Sequence, residues 1–102
     1  MFKRLLIVSL VRNIHWLAIA RDDLLSIVDF ISDDNLDAAI RIKEAVETNV
    51  SHLRTFPKMG RLGIVEGTRE LVIMKNFIVV YQENDDSVKI LRVLHAAQQW
   101  PL

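Results

Sequence analysis

Residues 68–94 read TRELVIMKNFIVVYQENDDSVKILRVL, and this stretch decides the fold. It divides into three segments rich in Val, Ile, Phe and Tyr: Thr68 to Met74, Phe77 to Glu83 and Val88 to Leu94. β-Branched and aromatic residues fit a pleated, half-buried surface. The breaks, Lys75-Asn76 and Asn84-Asp85-Asp86, are far too short for the crossover that parallel strands need. The three segments are therefore an antiparallel meander. The middle one (FIVVY) is apolar at both parities, as a central strand covered on both faces would be.

Upstream of the meander, residues 57–67 (PKMGRLGIVEG) hold all three glycines and one of the two prolines, and read as the main loop. Before it the periodicity is helical. Leu24, Ile27, Val28 and Ile31 follow the i, i+3, i+4, i+7 template from Arg21 onward, with Asp22 and Asp23 expected in the first turn. Ser32-Asp33-Asp34-Asn35 is a break, and Asp34 or Asn35 suits the N-cap of a second helix. That helix carries Leu36, Ala39, Ile40, Val46, Val50 and Leu53 along one side, with Lys43/Glu47 and Arg41/Glu44 on its wet side, and stops at Pro57. Residues 14–19 (IHWLAI) read as a short first strand. The order β-α-α-β-β-β is an α+β domain: a two-helix antiparallel hairpin packed on one face of a small, mainly antiparallel sheet.

The hairpin covers only one face of the sheet. Val and Leu stand at both parities of the last two strands, so the second face is expected to be apolar and open. A surface of that kind is an interaction site, and a bound partner chain is its natural cover.

The whole chain, 102 residues, reads as a single domain with residues 1–12 as an N-terminal extension. Met1 to Val11 (MFKRLLIVSLV) imitates a signal peptide, but Arg12, Asn13 and His15 interrupt the apolar run before Ala18-Ile19-Ala20, which mimics a cleavage site. The run is also far shorter than the ~20 residues of a membrane span, so the expected compartment is the cytosol. Thirteen cations balance thirteen acids, which argues against affinity built on many phosphate contacts. The lack of cysteine excludes disulfides, thiolate metal sites and cysteine nucleophiles. No Gly-rich phosphate loop, Ser-centred elbow, carboxylate pair or metal-ligand cluster is present, so neither cofactor nor metal is expected.

An ordered set of stretches is similar to the RelE/ParE superfamily of bacterial type II toxins, the ParE-like branch in particular, from about Trp16 to Pro101. These are Trp16 with Ala20, Asp23 and Leu24; Phe30-Ile31 with Asp34-Asn35 and Ala38-Ala39; and Leu53, Phe56-Pro57, Gly60-Arg61 and Gly63. Gly67-Thr68-Arg69-Glu70-Leu71, Val79-Val80-Tyr81, Ile90 to His95, Gln98 and Trp100-Pro101 complete it. Leu36 departs from the resemblance where many relatives carry Pro, and so does the extension before residue 13. The resemblance implies a cytosolic toxin that forms a hetero-oligomer with a cognate antitoxin. ParE-like members poison DNA gyrase by binding it; RelE-like members are metal-independent endoribonucleases that cut messenger RNA on the ribosome. A third class would be a non-toxic scaffold of the same fold that still binds an antitoxin.

A ribonuclease needs a base, a cation for the phosphorane charge and an acid. Arg69, Arg92 and His95 are the candidates for those roles. Strand parity opposes them, because Arg92 and His95 are separated by an odd step and face opposite ways in a regular strand. His95 reads first as a structural residue, a strand-end hydrogen bonder or packing against Trp100. Arg69 suits an ion pair with Glu66 or Glu70, or a partner contact. Arg92, in an apolar strand, needs an acid from an antitoxin or from its own chain. Tyr81 and Trp16 read as core aromatics. From Arg54 to Lys75 five cations oppose two acids, a patch of net charge +3 that suits gyrase or an acidic antitoxin segment. The expected function is a gyrase-binding toxin without catalysis of its own, with Lys58, Arg61, Arg69, Arg92, His95 and Trp100 as partner-binding candidates.

Overall fold

The computed structural model describes residues 11–98 and 100–101. Chain order is β1 (Asn13–Trp16), α1 (Ala18–Ser32), α2 (Leu36–His52), β2 (Arg61–Leu62), β3 (Arg69–Ile73), β4 (Phe77–Glu83) and β5 (Ser87–His95). The strands form one five-stranded sheet in the order β1-β5-β4-β3-β2. The expected meander is β3-β4-β5, antiparallel throughout, with β4 at the centre. Two additions extend it. β1 pairs parallel with β5, and the expected loop contributes the two-residue edge strand β2.

α1 begins three residues before the expected start. The Leu17 N–H is held by the Ile90 carbonyl, and the Leu17 carbonyl accepts from Ala20 and Arg21, so the strand passes straight into the helix. No acid therefore lies in the first turn, and Asp22 and Asp23 fall in the second. Asn35, not Asp34, caps α2, its Oδ1 accepting from the Ala38 N–H at 3.0 Å. The buried stripe of α2 is Ala39, Ile42, Val46 and Val50. Ile40, expected inside, is 45% exposed, while Ile42 is 8% exposed. The i, i+4 pair Lys43–Glu47 forms at 2.9 Å.

The core lies between the hairpin and one sheet face. It joins Ala20 and Leu24 of α1 and Val46 and Val50 of α2 to Leu71, Ile73, Phe77, Val79, Tyr81, Val88, Ile90 and Val93. Ile90 and Val93 share this face despite their odd separation. Between them Val80 pairs with Arg92 but Tyr81 pairs with Ile90, which leaves Leu91 as the extra residue of a bulge. Downstream of it parity is regular: Arg92 and Leu94 share the second face, and His95 lies on the helix side.

The second face is less open than the sequence suggests. Val80 and Leu94 point away from the helices yet are 0% and 1% exposed. After His95 the chain turns back, and Gln98, Trp100 and Pro101 stand over Ile78 and Leu94, enclosing about 500 Å³ with Arg61, Ile64 and Glu70. Val72, on β3, remains exposed. The cover expected from a partner is thus supplied in part by the chain's own C-terminal end.

Of the expected N-terminal extension, residues 1–10 and the signal-like run within them lie outside the described residues. Arg12 is tied in place: its N–H donates to the Arg54 carbonyl and its Nε to the Asn84 carbonyl, each at 2.9 Å. Among the described residues no helix is long and apolar enough to cross a membrane.

Candidate functional site

The cationic loop after α2 is fixed from beneath by two side chains. Tyr81, at the centre of β4, sends its hydroxyl through the core to donate to the Pro57 carbonyl at 2.7 Å and to accept from the Gly60 N–H at 2.9 Å. A buried phenol without such partners would carry a desolvation penalty. Burial pushes its pKa above the ordinary tyrosine value, against the opposing Gly60 hydrogen bond and Arg69 charge. Gly60 is required by contact: a Cβ there would lie 2.8 Å from the Tyr81 hydroxyl and 2.9 Å from the Glu70 carbonyl. Arg69 donates to the Gly60 carbonyl at 2.8 Å and to the Lys58 carbonyl at 3.4 Å. It forms no ion pair with Glu66 or Glu70. Arg61 takes Glu70 instead, through Nη2 at 2.9 Å and Nε at 3.1 Å. Glu70 is 7% exposed, so its carboxylate depends on that guanidinium.

Held this way, the loop presents exposed Phe56, Lys58, Met59, Leu62 and Ile64 to solvent, with Arg61 at its margin. Trp100 closes the other side of the second-face pocket, and its buried indole N–H has no hydrogen-bond partner among the described residues. His95 lies at the far end of β5. Its ring meets Phe77 edge-on, 5.6 Å between centroids, where packing against Trp100 was one expectation. Its Nδ1 accepts the Ala97 N–H at 3.1 Å, and its own N–H donates to Gln98 Oε1 at 2.8 Å.

Arg92 finds its acid within the chain. Asp23 of α1 accepts Nε at 2.7 Å and Nη2 at 3.0 Å, and also accepts the Val93 N–H at 3.0 Å. β1 ends at Trp16, opposite Ile90, so the rest of β5 lacks a neighbouring strand on that side. The Asp23 carboxylate takes the position of that missing strand. The pairing holds the Arg92 guanidinium firmly in its charged form, its pKa raised further by the Asp23 hydrogen bonds.

The three ribonuclease candidates do not come together. Arg69 pairs with Tyr81 and His95 with Phe77, four residues apart on β4, or ~13 Å along the strand. Arg92 lies between them in register but faces the other way and is bound to Asp23. Sequence reasoning missed two structural roles. Asp23 read as a helix-start acid, and only the apolar setting of Arg92 hinted that it needed a carboxylate. Tyr81 read as plain core, although a phenol in a central strand signals a buried partner. Among the described residues no cluster could hold a metal ion.

This architecture and sequence have relatives. The chain is similar to Y4kP of Sinorhizobium fredii, at 40% identity over 91 residues, covering 88% of this chain and 94% of that protein. It is 35% identical over 83 residues to Toxin RelE2 of Caulobacter vibrioides, covering 81% and 91% of the two chains. A chain of the chromosomal ParDE system from P. aeruginosa shares the fold, with a TM-score of 0.75 at 22% identity, over 85% of this chain and 98% of that one. Residues 14–100 match the ParE toxin of the type II toxin–antitoxin system parDE. With that match running from β1 to the tail over the second face, the chain belongs to the ParE toxin family of type II toxin–antitoxin systems.

Proposed function

We propose that this toxin acts in the cytoplasm by binding DNA gyrase and is neutralised by a cognate antitoxin in a hetero-oligomer. Its mechanism is occupation of a target surface, with no bond made or broken by its own side chains. The observation that carries this reading is the employment of Arg69, Arg92 and His95. Each is engaged in holding the fold, and the three are spread along the sheet rather than gathered about one phosphate. Lys58 and Arg61, with exposed Phe56, Met59 and Leu62, form the surface best suited to a large partner: apolar, cationic and rigidly seated on Tyr81.

Expression of the chain alone, with DNA and RNA breakage measured in the same cells, tests the reading. Gyrase poisoning gives linearised DNA and intact messenger RNA, and purified gyrase with supercoiled plasmid reproduces the cleavage. His95→Ala leaves that outcome unchanged. Cut messenger RNA that disappears with His95→Ala would establish the endonuclease instead, and harmless expression would establish a scaffold.

A further inference from the structure

The turn of the helical hairpin carries apolar side chains that no described residue covers. Phe30, near the end of α1, is 75% exposed, and Leu36, the first residue of α2, is 63% exposed. Asp29, Asp33, Asp34 and Asp37 stand among them in the sequence, all exposed, with no Lys or Arg between Arg21 and Arg41. None of these four carboxylates forms an ion pair among the described residues. Large apolar groups left in water beside unneutralised charge mark a docking surface.

The other end of the hairpin has the same build with the opposite sign. Exposed Phe56, Met59 and Leu62 stand among Arg54, Lys58 and Arg61. Arg61 is paired with Glu70, while Arg54 and Lys58 pair with no carboxylate among the described residues. α2 separates the two ends, and its 17 residues span about 25 Å. One molecule cannot bring its tip onto its own loop across that rigid helix. Two molecules can.

We propose that the hairpin tip of one copy docks on the α2-exit loop of a second copy. Phe30 and Leu36 meet Phe56, Met59 and Leu62, and the tip carboxylates lie against Arg54 and Lys58. The contact is heterologous: each copy offers both halves and turns a different one to each neighbour, so copies add head to tail. Charge complementarity decides the occupant. One contact between copies neutralises both clusters and removes both apolar sets from water. Residues 1–10, with Lys3, Arg4 and no acid, match the tip in sign but leave the cationic loop open. The contact stands whether or not gyrase is the target, and a docked copy occupies the same loop surface that a target would use.

Sedimentation equilibrium of the full chain, free of antitoxin, tests this. Weight-average mass rises with concentration over about 10 µM to 1 mM, as a small interface implies, and passes that of a dimer. The association constant falls at least about tenfold between low salt and ~0.5 M salt. A tip variant (Asp33→Lys with Asp34→Lys) and a loop variant (Arg54→Glu with Lys58→Glu) each associate at least about tenfold more weakly. Mixed in equal amounts they form a heterodimer and stop there, because one intact loop then meets one intact tip. That recovery also shows that both variants fold. A wild-type chain that stays monomeric to about 1 mM overturns the proposal. So does association that neither variant weakens, and so does a mixture that stays monomeric. Association abolished by Lys3→Glu with Arg4→Glu but kept by the loop variant assigns the tip to residues 1–10 and overturns it as well.

Discussion

Tyr81 joins three parts of the chain with one oxygen: a central strand, the carbonyl that ends the α2 exit and the amide of Gly60. Tyr81→Phe keeps the ring and deletes both bonds, leaving Pro57 and Gly60 groups unpaired in a dry place. The expected cost is about 1–3 kcal/mol, read as a fall in the thermal midpoint of roughly 4–8 °C per kcal/mol. The same residue sets an alkaline limit. Its folded-state pKa is raised, chiefly by burial, so the unfolded chain ionises first. The stability it contributes is intact below about pH 10 and is lost as pH rises through the folded value. Wild type therefore loses stability more steeply than Tyr81→Phe above that pH, in paired denaturation series. Asp23 is a second such residue. Asp23→Ala strands the Arg92 charge and the Val93 N–H and costs about 3 kcal/mol. Asp23→Asn retains an acceptor and costs less, so urea midpoints fall in the order wild type, Asn, Ala. Equal loss in both variants would mean that charge, not the hydrogen bonds, holds the strand edge.

The β3–β4 connection carries strain within an element. Met74 and Lys75 have φ of 52° and 66°, the left-handed region where a Cβ crowds the backbone. Both residues lie in the three-residue connection Met74–Asn76 between the paired Ile73 and Phe77, and neither is a glycine that would adopt such a φ without crowding. Lys75→Gly relieves one such residue and is expected to stabilise by up to about 1 kcal/mol, measured as a higher urea midpoint with unchanged slope. The sequence marks this turn by Lys75-Asn76 but not its type, since neither residue is glycine. The same contrast runs through the other elements. Both helices, the strands β1, β3, β4 and β5, and their order follow from local periodicity and were legible, while the two-residue β2 was hidden in the stretch that reads as loop. The partner of β1, the bulge at Leu91 and the choice of Ile42 over Ile40 depend on long-range register, which periodicity does not encode. The candidate residues were legible by type, while their employment was not. Arg69, Arg92 and His95 look alike in the sequence as free cationic or titratable groups, and only tertiary contacts separate a loop brace, a strand-edge anchor and a cap.

Over the whole molecule, zero net charge conceals a separation of signs. Asp29, Asp33, Asp34 and Asp37 cluster about the turn of the helical hairpin, while Arg54, Lys58 and Arg61 follow its other end. Exposed apolar side chains occur at both places: Phe30 and Leu36 near the acids, Phe56, Met59 and Leu62 near the cations. A chain of this size can bury only part of its apolar surface alone. The remainder is removed from water when a partner binds the folded form, and binding of that kind stabilises by mass action. With antitoxin at a hundred times its dissociation constant the gain is about 2.7 kcal/mol, which corresponds to a midpoint rise on the order of 10–20 °C. Calorimetry across an antitoxin titration checks this directly. The midpoint should climb with the logarithm of antitoxin concentration past saturation, and the climb should shrink at high salt, where attraction between an acidic segment and the cationic end of the hairpin is screened. A salt-independent climb would assign the contact to apolar burial alone, and a flat midpoint would mean that the folded toxin is not the form the antitoxin holds.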